Sequence, residues 1–454
     1  MSRPQRRLGI TITAAIVIAN MIGVGVFTSA GYQAHDLHDP KTILLAWVVG
    51  GVVALCGAAA YAELGSMMPR AGGEYVYLRE AYHPAVGFMS GWVSLTAGFS
   101  APIATSSLLF AKYLALLIPG LSSLGAQQMV AIGLIAAITS LHAFDTKTGG
   151  WVQTVFTAIK VLLICAFIVG GIGFGTGSWD NLATQAGGFS NVATTQFATA
   201  LMYVSFAYSG WNAAAYIANE VEQPERNLPR ALLLGTGIVM VLYVLLNLVF
   251  FYAVPSAVLA GPSDNFAPVI EVGDVAARHL FGAGAGELVS TVIALALVSS
   301  VSAMIMAGPR VYAAMAADRA MPRQLGRHNR RGVPVVAVVA QGVLATVFVL
   351  IGDLGVLIRF VAFSLAIFAA LTVGSVFLLR RRGHQAAYRT FGYPVTPALF
   401  IALSAWIAYS QIKTQPWESL IGGAVLGVGA VLYAVMIRGK EPLPDESLPD
   451  AEAK

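Results

Sequence analysis

Apolar runs, each about 20 residues long and so able to cross a bilayer core of ~30 Å as a helix, recur along almost the whole chain. They fall near 9–34, 42–66, 84–117, 127–143, 151–175, 194–221, 229–255, 286–308, 334–352, 356–380, 394–413 and 418–437. In hydrocarbon every backbone N–H and C=O must be satisfied internally, so only helices or closed barrels span a membrane. Runs of this length are helical rather than barrel strands, which predicts an all-α membrane protein with about twelve transmembrane helices. The 454 residues are 57% hydrophobic and 11% charged, which excludes a soluble globular protein.

Two of the runs are interrupted. Ile18-Ala19-Asn20-Met21-Ile22-Gly23-Val24-Gly25-Val26-Phe27 lies in the first, and Phe206-Ala207-Tyr208-Ser209-Gly210-Trp211-Asn212 in the sixth. Each glycine weakens a helix by roughly 1 kcal/mol relative to alanine. Either break alone reads equally well as a place where helices pack closely. Paired breaks in the first span of two five-span halves point instead to a transporter's binding site, because unwound backbone at membrane depth is tolerated where it lines a cavity. The half-helix starting near Val26 would offer N–H groups and a positive dipole end to a carboxylate. Carbonyls near Asn20, and those of Phe206, Ala207 and Ser209, would accept from an ammonium. Opposed donors and acceptors of this kind suit an α-amino acid zwitterion.

Charge placement sets the expected topology. With Arg3, Arg6 and Arg7 cytoplasmic, about 21 of the 27 Lys and Arg residues fall in cytoplasmic segments. Lys41, Lys112, Arg278 and Lys413 lie outside, while Lys160 and Arg359 lie within spans. The net charge of +5 reflects this asymmetry, so no nucleic-acid partner is needed. The expected organisation is a cytoplasmic N-terminus (1–8), halves at 9–175 and 194–380 in opposite topology, two further spans in 394–437, and a disordered cytoplasmic tail at 438–454. No cleavable signal peptide is expected. Cys56 and Cys165 both fall inside spans and read as free thiols, with no metal-ligand spacing and no extracellular disulfide. A single-chain protein of a bacterial inner membrane is expected, with the lipid bilayer as its surroundings and no cofactor or metal.

Two connections carry amphipathic pieces. The tyrosine-rich stretch from Pro69 to Tyr82 suits an interfacial helix at the cytoplasmic headgroups. The piece around Val269–Leu280 is either an outer gate or a cover for neighbouring span ends.

These motifs together resemble the amino acid–polyamine–organocation (APC) superfamily. Met21 to Phe27 is similar to its first-span signature, Pro69 to Tyr82 to its second-to-third loop, and Phe206 to Asn212 with Pro224–Arg230 to the sixth span of the L-amino acid transporter (LAT) branch. Ala307–Tyr312 and Phe391–Pro394 are further matches. The resemblance implies the leucine-transporter-like fold of five plus five inverted helices, with two added. It also implies substrate carboxylate at Ile22, Gly23, Val24 and Gly25, and substrate amine at the carbonyls around Ile18 and from Phe206 through Ala207 to Ser209. Phe206 matches an aromatic that closes the outer side of the site, and Asn212 a polar residue near the substrate. Ser209 departs from the usual glycine, which trims the side-chain pocket. Trp211, beside the break, either gates or packs.

Lys160 lies about nine residues into its span, hence ~13 Å deep, beyond easy snorkelling. A lysine so placed is a functional candidate by default. In the fold that the motifs resemble, a fifth-span lysine occupies a sodium site and ties the first half-helix to the eighth span, here near Ser299, Ser300 or Ser302. The resemblance therefore implies sodium independence, whether the lysine titrates and couples protons or is structural. Arg359 is expected to snorkel to the headgroups.

All seven histidines and every carboxylate within a span lie near span ends. That argues against a buried proton relay, against polyamines and, less strongly, against arginine or lysine as substrates. The His142 and Asp145 pair has no third member, and no enzyme or channel constellation is present. The expected function is sodium-independent transport of neutral L-amino acids by alternating access, as exchanger or facilitator. Its rivals are proton symport through Lys160, basic amino acid or polyamine antiport, and an amino acid sensor without flux.

Overall fold

The computed structural model describes residues 8–144, 147–183, 188–262 and 267–436. The tail at 438–454 and Asp145 lie outside them, as do the first seven residues. Among the described residues the structure is helical, apart from one isolated bridge between Leu8 and Val221.

The first run becomes two helices, α1 (Ile10–Met21) and α2 (Val24–Leu37). They are followed by α3 (Pro40–Met67), the connecting helix α4 (Glu74–Ala81), and a third crossing made of α5 (Pro84–Val93) and α6 (Ala101–Leu117). Wider π-type turns over Ser94–Ser100 join α5 to α6. Next come α7 (Leu124–Phe144) and α8 (Lys147–Phe174). The sixth run again splits, into α9 (Thr195–Tyr208) and α10 (Ala213–Tyr216). Then follow α11 (Pro224–Ala253), α12 (Ser256–Ala260), α13 (Val272–Phe281), α14 (Ala283–Ala317), α15 (Val335–Ile351), α16 (Leu354–Arg381), α17 (Val395–Thr414) and α18 (Pro416–Met436).

Among the described residues ten helical segments are long and apolar enough to cross a membrane. The shorter apolar α15 and the broken α9–α10 pair occupy the places of the other two expected spans. The starts obey local chemistry. Asp39 caps α3 by accepting from the Thr42 N–H at 2.8 Å, with Pro40 at the first position, and Asp353 caps α16 from the Gly355 N–H at 2.8 Å.

The third crossing is the most buried of these spans, with 83% of its most apolar stretch inside the protein; the α1–α2 crossing, α3 and α14 follow at 61%, against 11% in α7, which turns Met129 and Leu141 outward. Lipid tails are as apolar as leucine, so small residues rather than hydrophobicity bring these helices together. A Cβ on Gly235 of α11 would lie 2.8 Å from Val17 of α1, and one on Gly50 of α3 would lie 2.2 Å from Val204 of α9.

One connecting piece differs from its sequence reading. α4 is packed into the protein rather than lying with one face free: Glu74 through Arg79 and Ala81 are all buried. Its Arg79 pairs with Glu80 and Asp318, and Arg70 and Tyr75 also reach Asp318, from the end of α14. The amphipathic pattern is real, but its polar side meets carboxylates of the protein instead of headgroups. α13 buries Val272, Ala276 and Leu280 and is fastened by Asp274, which accepts from Arg278 and Ser290.

Arg359 also departs from expectation. Its guanidinium does not snorkel; it pairs with Glu418 of α18 at 2.8–2.9 Å, with the two side chains 11% and 10% exposed. Glu418, near the start of α18, brings its carboxylate within reach of the guanidinium. Arg359→Gln should leave Glu418 buried without a cation and cost about 3–5 kcal/mol. A lowered thermal midpoint in detergent would show it, and the Arg359→Gln/Glu418→Gln double variant should recover most of the loss.

Candidate functional site

The first break is only two residues long. Ile22 ends α1, its N–H donating to the Ile18 carbonyl at 2.9 Å, and Gly23 turns the chain before α2 restarts at Val24. Gly23, the N-cap residue of α2, has no side chain to cap it. At the second break, Ser209 leaves the helical region, with both its N–H (3.0 Å) and its hydroxyl (2.6 Å) donating to the Phe206 carbonyl. Gly210 then takes φ +96°, in the left-handed region that favours glycine.

The two breaks touch. A Cβ on Gly25 would lie 2.3 Å from Ala207 Cα, and one on Gly210 would lie 2.8 Å from the Asn20 carbonyl oxygen. Close packing and interruption, alternatives at the level of sequence, are therefore served by different glycines: Gly25 permits close contact, whereas a Cβ on Gly23 would meet Met21 and Ser300 only at an ordinary 3.9 Å.

Around the contact lies a cavity of about 60 Å³. Gly23, Val24, Gly25, Phe206, Ala207, Ser209 and Asn212 all line it. Ile18 and Ile22 are not among its lining residues. The Ile18 carbonyl accepts from Ile22, and the Ile22 carbonyl is taken by Lys160 and Ser300. Sequence reasoning did not single out the third-crossing wall: Phe99, Pro102, Thr105 and Ser106. The signal was Gly98-Phe99-Ser100-Ala101-Pro102, where a proline with no N–H accompanies the π-type turns, an irregularity frequent at functional sites.

A second cavity of about 80 Å³ lies on the α3, α16 and α17 side. It shares Phe206, Ser209, Gly210, Asn212 and Leu365 with the first, and Glu74 also lines it. The pocket therefore has a buried acid beside it, which corrects the sequence reading that none was near. Glu74 escaped because it belongs to a connection, outside every apolar run. Trp211 lines this second cavity and packs edge-on against Tyr61 at 4.5 Å and Phe400 at 6.2 Å. A third cavity, about 320 Å³, lies among α8, α11, α13 and α14, but among the described residues lining it Lys160 alone has a polar side chain, so they offer no paired donors and acceptors for a zwitterion.

Lys160 is 2% exposed. Its Nζ donates to the Ile22 carbonyl and to Ser300 Oγ, each at 2.9 Å, and Ser300 Oγ donates to the same carbonyl at 2.7 Å. One lysine thus ties α8 and α14 to the hinge of the first break. Ser299 is buried in the same helix, while Ser302 meets His142 at 2.8 Å. Among the described residues no group of three or more His, Cys, Asp or Glu is arranged to hold a metal ion.

With this geometry in hand, relatives give the family. A profile of the amino acid permease family matches residues 8–434. The serine/threonine exchanger SteT of Bacillus subtilis (strain 168) is 30% identical over 418 residues, covering 90% of this chain and 92% of the relative. The b(0,+)-type amino acid transporter 1 of Homo sapiens is 27% identical over 449 residues, covering 96% and 89%. The cystine/glutamate transporter of Homo sapiens is 27% identical over 441 residues, covering 95% and 85%. The chain belongs to the amino acid permease family of the APC superfamily, and it is a multi-pass membrane transporter of amino acids rather than an enzyme.

Proposed function

We propose that the chain is a sodium-independent transporter of neutral L-amino acids that works by alternating access, as an exchanger or facilitator. The observation carrying this reading is the contact of two helix breaks around one small cavity, with the uncapped start of α2 on one side and the turn at Ser209 on the other. A helix N-terminus binds a carboxylate through N–H groups and its dipole without a basic side chain. The amine end is held by carbonyls of the breaks, including Ala207 and Ser209, and Phe206 closes the outer side while Trp211 braces the second break. Gly23, Val24 and Gly25 hold the carboxylate, and Asn212 and Ser209 face the side chain.

Sodium independence rests on Lys160, whose ammonium already supplies a positive charge to the Ile22 carbonyl. The two halves, 9–175 and 194–380, rock about this centre, with 394–437 as a flank. The protein works in a bacterial inner membrane with both termini cytoplasmic, without a heavy-chain partner. SteT exchanges serine and threonine, as its name states, which agrees with small neutral substrates.

Reconstituted protein preloaded with unlabelled serine should accumulate labelled alanine, serine or leucine by counterflow, equally in sodium and potassium buffers. Binding without flux would instead make the chain a sensor, and a sodium requirement would remove Lys160 from its assigned role. Loss of uptake without an imposed proton gradient would favour symport through Lys160.

A further inference from the structure

Glu74, the first residue of α4, is 3% exposed and lines the second cavity. Its Oε1 accepts from the Tyr61 hydroxyl of α3 at 2.5 Å and from Asn212 Nδ2 at 2.7 Å, and the same Nδ2 donates to the Tyr216 hydroxyl at 2.9 Å. The other groups that face it are Tyr77 of its own helix, Ser90 of α5 and, beyond Tyr61, Thr372 of α16. None of these is a cation. The nearest basic residue of its helix, Arg79, is engaged by Glu80 and Asp318.

Burial pushes the Glu74 carboxyl above the usual carboxylate range, although Tyr61 and Asn212 hold it back. A carboxylate taken out of water without a cation is costly, and a group in that position takes a proton instead. An arriving cation reverses the preference. The wall formed by Ser209, Gly210 and Asn212 is common to both cavities, so a side chain leaving a zwitterion seated at the breaks and passing Asn212 heads toward Glu74.

We propose that the second cavity is a side-chain lobe of the transport site and that Glu74 reads the charge of that side chain. With a neutral amino acid the carboxyl keeps its proton. With a lysine-, ornithine- or arginine-like side chain the proton leaves to water on the side of entry, and the carboxylate pairs with the ammonium or guanidinium. Cationic amino acids thereby join the substrate range, an extension that rests on the breaks being the transport site.

The test is counterflow by full-length protein in proteoliposomes, with labelled arginine and labelled alanine compared between about pH 5 and 8. Wild type should take up arginine at a rate that rises with pH, since ionised Glu74 is the form that pairs, while alanine uptake does not rise with it. Glu74→Gln should lose at least about tenfold of arginine uptake and change alanine uptake by less than about threefold. Glu74→Asp should keep part of the arginine uptake. Independently of any variant, unlabelled arginine should compete with alanine on wild type. Alanine flux without arginine flux or competition overturns the inference and leaves the transport reading standing, as does equal loss of both substrates in a folded Glu74→Gln. Absence of flux for both amino acids in wild type overturns the transport reading and this inference with it. A pH effect shared by both substrates belongs to Lys160 and also counts against Glu74.

Discussion

Gly25→Ala should abolish transport, leaving uptake below about a tenth of wild type and little monodisperse protein. The added Cβ would sit 2.3 Å from Ala207 Cα, 2.5 Å from its Cβ and 2.9 Å from its backbone nitrogen. These are backbone neighbours and cannot rotate away, so α2 and α9 must separate. Overpacking typically costs about 1–3 kcal/mol where side chains absorb it, and here the displacement falls on the two half-helices that build the site. Gly210→Ala should be nearly as severe, because φ +96° and the Asn20 carbonyl 2.8 Å away both oppose a side chain. Gly23→Ala separates packing from the break itself. Its nearest neighbours would be 3.9 Å away, so the variant should fold and be extracted normally while substrate affinity weakens. Size-exclusion profiles and uptake, measured side by side, check the series. Wild-type uptake by Gly25→Ala would mean that the α2–α9 contact is not a requirement of transport.

The helices and both breaks were legible in the sequence because bilayer thickness and backbone satisfaction leave so few options for a 20-residue apolar run. Lys160 stood out for the same reason: a lysine deep in a span has few explanations, and Ser300 was within the short set of partners that the family resemblance implied. What sequence could not supply was the neighbour of a polar residue outside the spans. The stretch that holds Glu74 and Arg79 read as an interfacial helix, yet both side chains are buried, because Asp318 and Asn212 come from segments more than a hundred residues away. Arg359 misled in the same manner, since headgroups and Glu418 both explain an arginine near a span end, and only the fold chooses. The third-crossing wall carried too weak a pattern: Thr105 and Ser106 are ordinary in a packed helix, and their place beside the breaks is tertiary information.

Lys160→Ala should cut transport by about tenfold or more without unfolding the protein. The substitution removes two hydrogen bonds from an ammonium, each worth about 1.5–3 kcal/mol when one partner is charged. What remains at the Ile22 carbonyl is the single bond from Ser300. Ile22 is the joint between α1 and α2, so a loss of even one such bond, at 1.4 kcal/mol per decade, shifts the balance between hinge arrangements by about ten- to a hundredfold. Ser300→Ala should be milder, because the direct bond from Lys160 to Ile22 survives it. The two variants should also be non-additive, since both donors share one carbonyl and bond each other. Uptake against external pH decides what the lysine does beyond tying helices together. A pH dependence present in wild type for every substrate and absent in Lys160→Ala makes it the proton carrier. A flat wild-type profile, together with the loss of rate in the variant, makes it a fixed strut whose charge stands permanently where a sodium ion would otherwise be required.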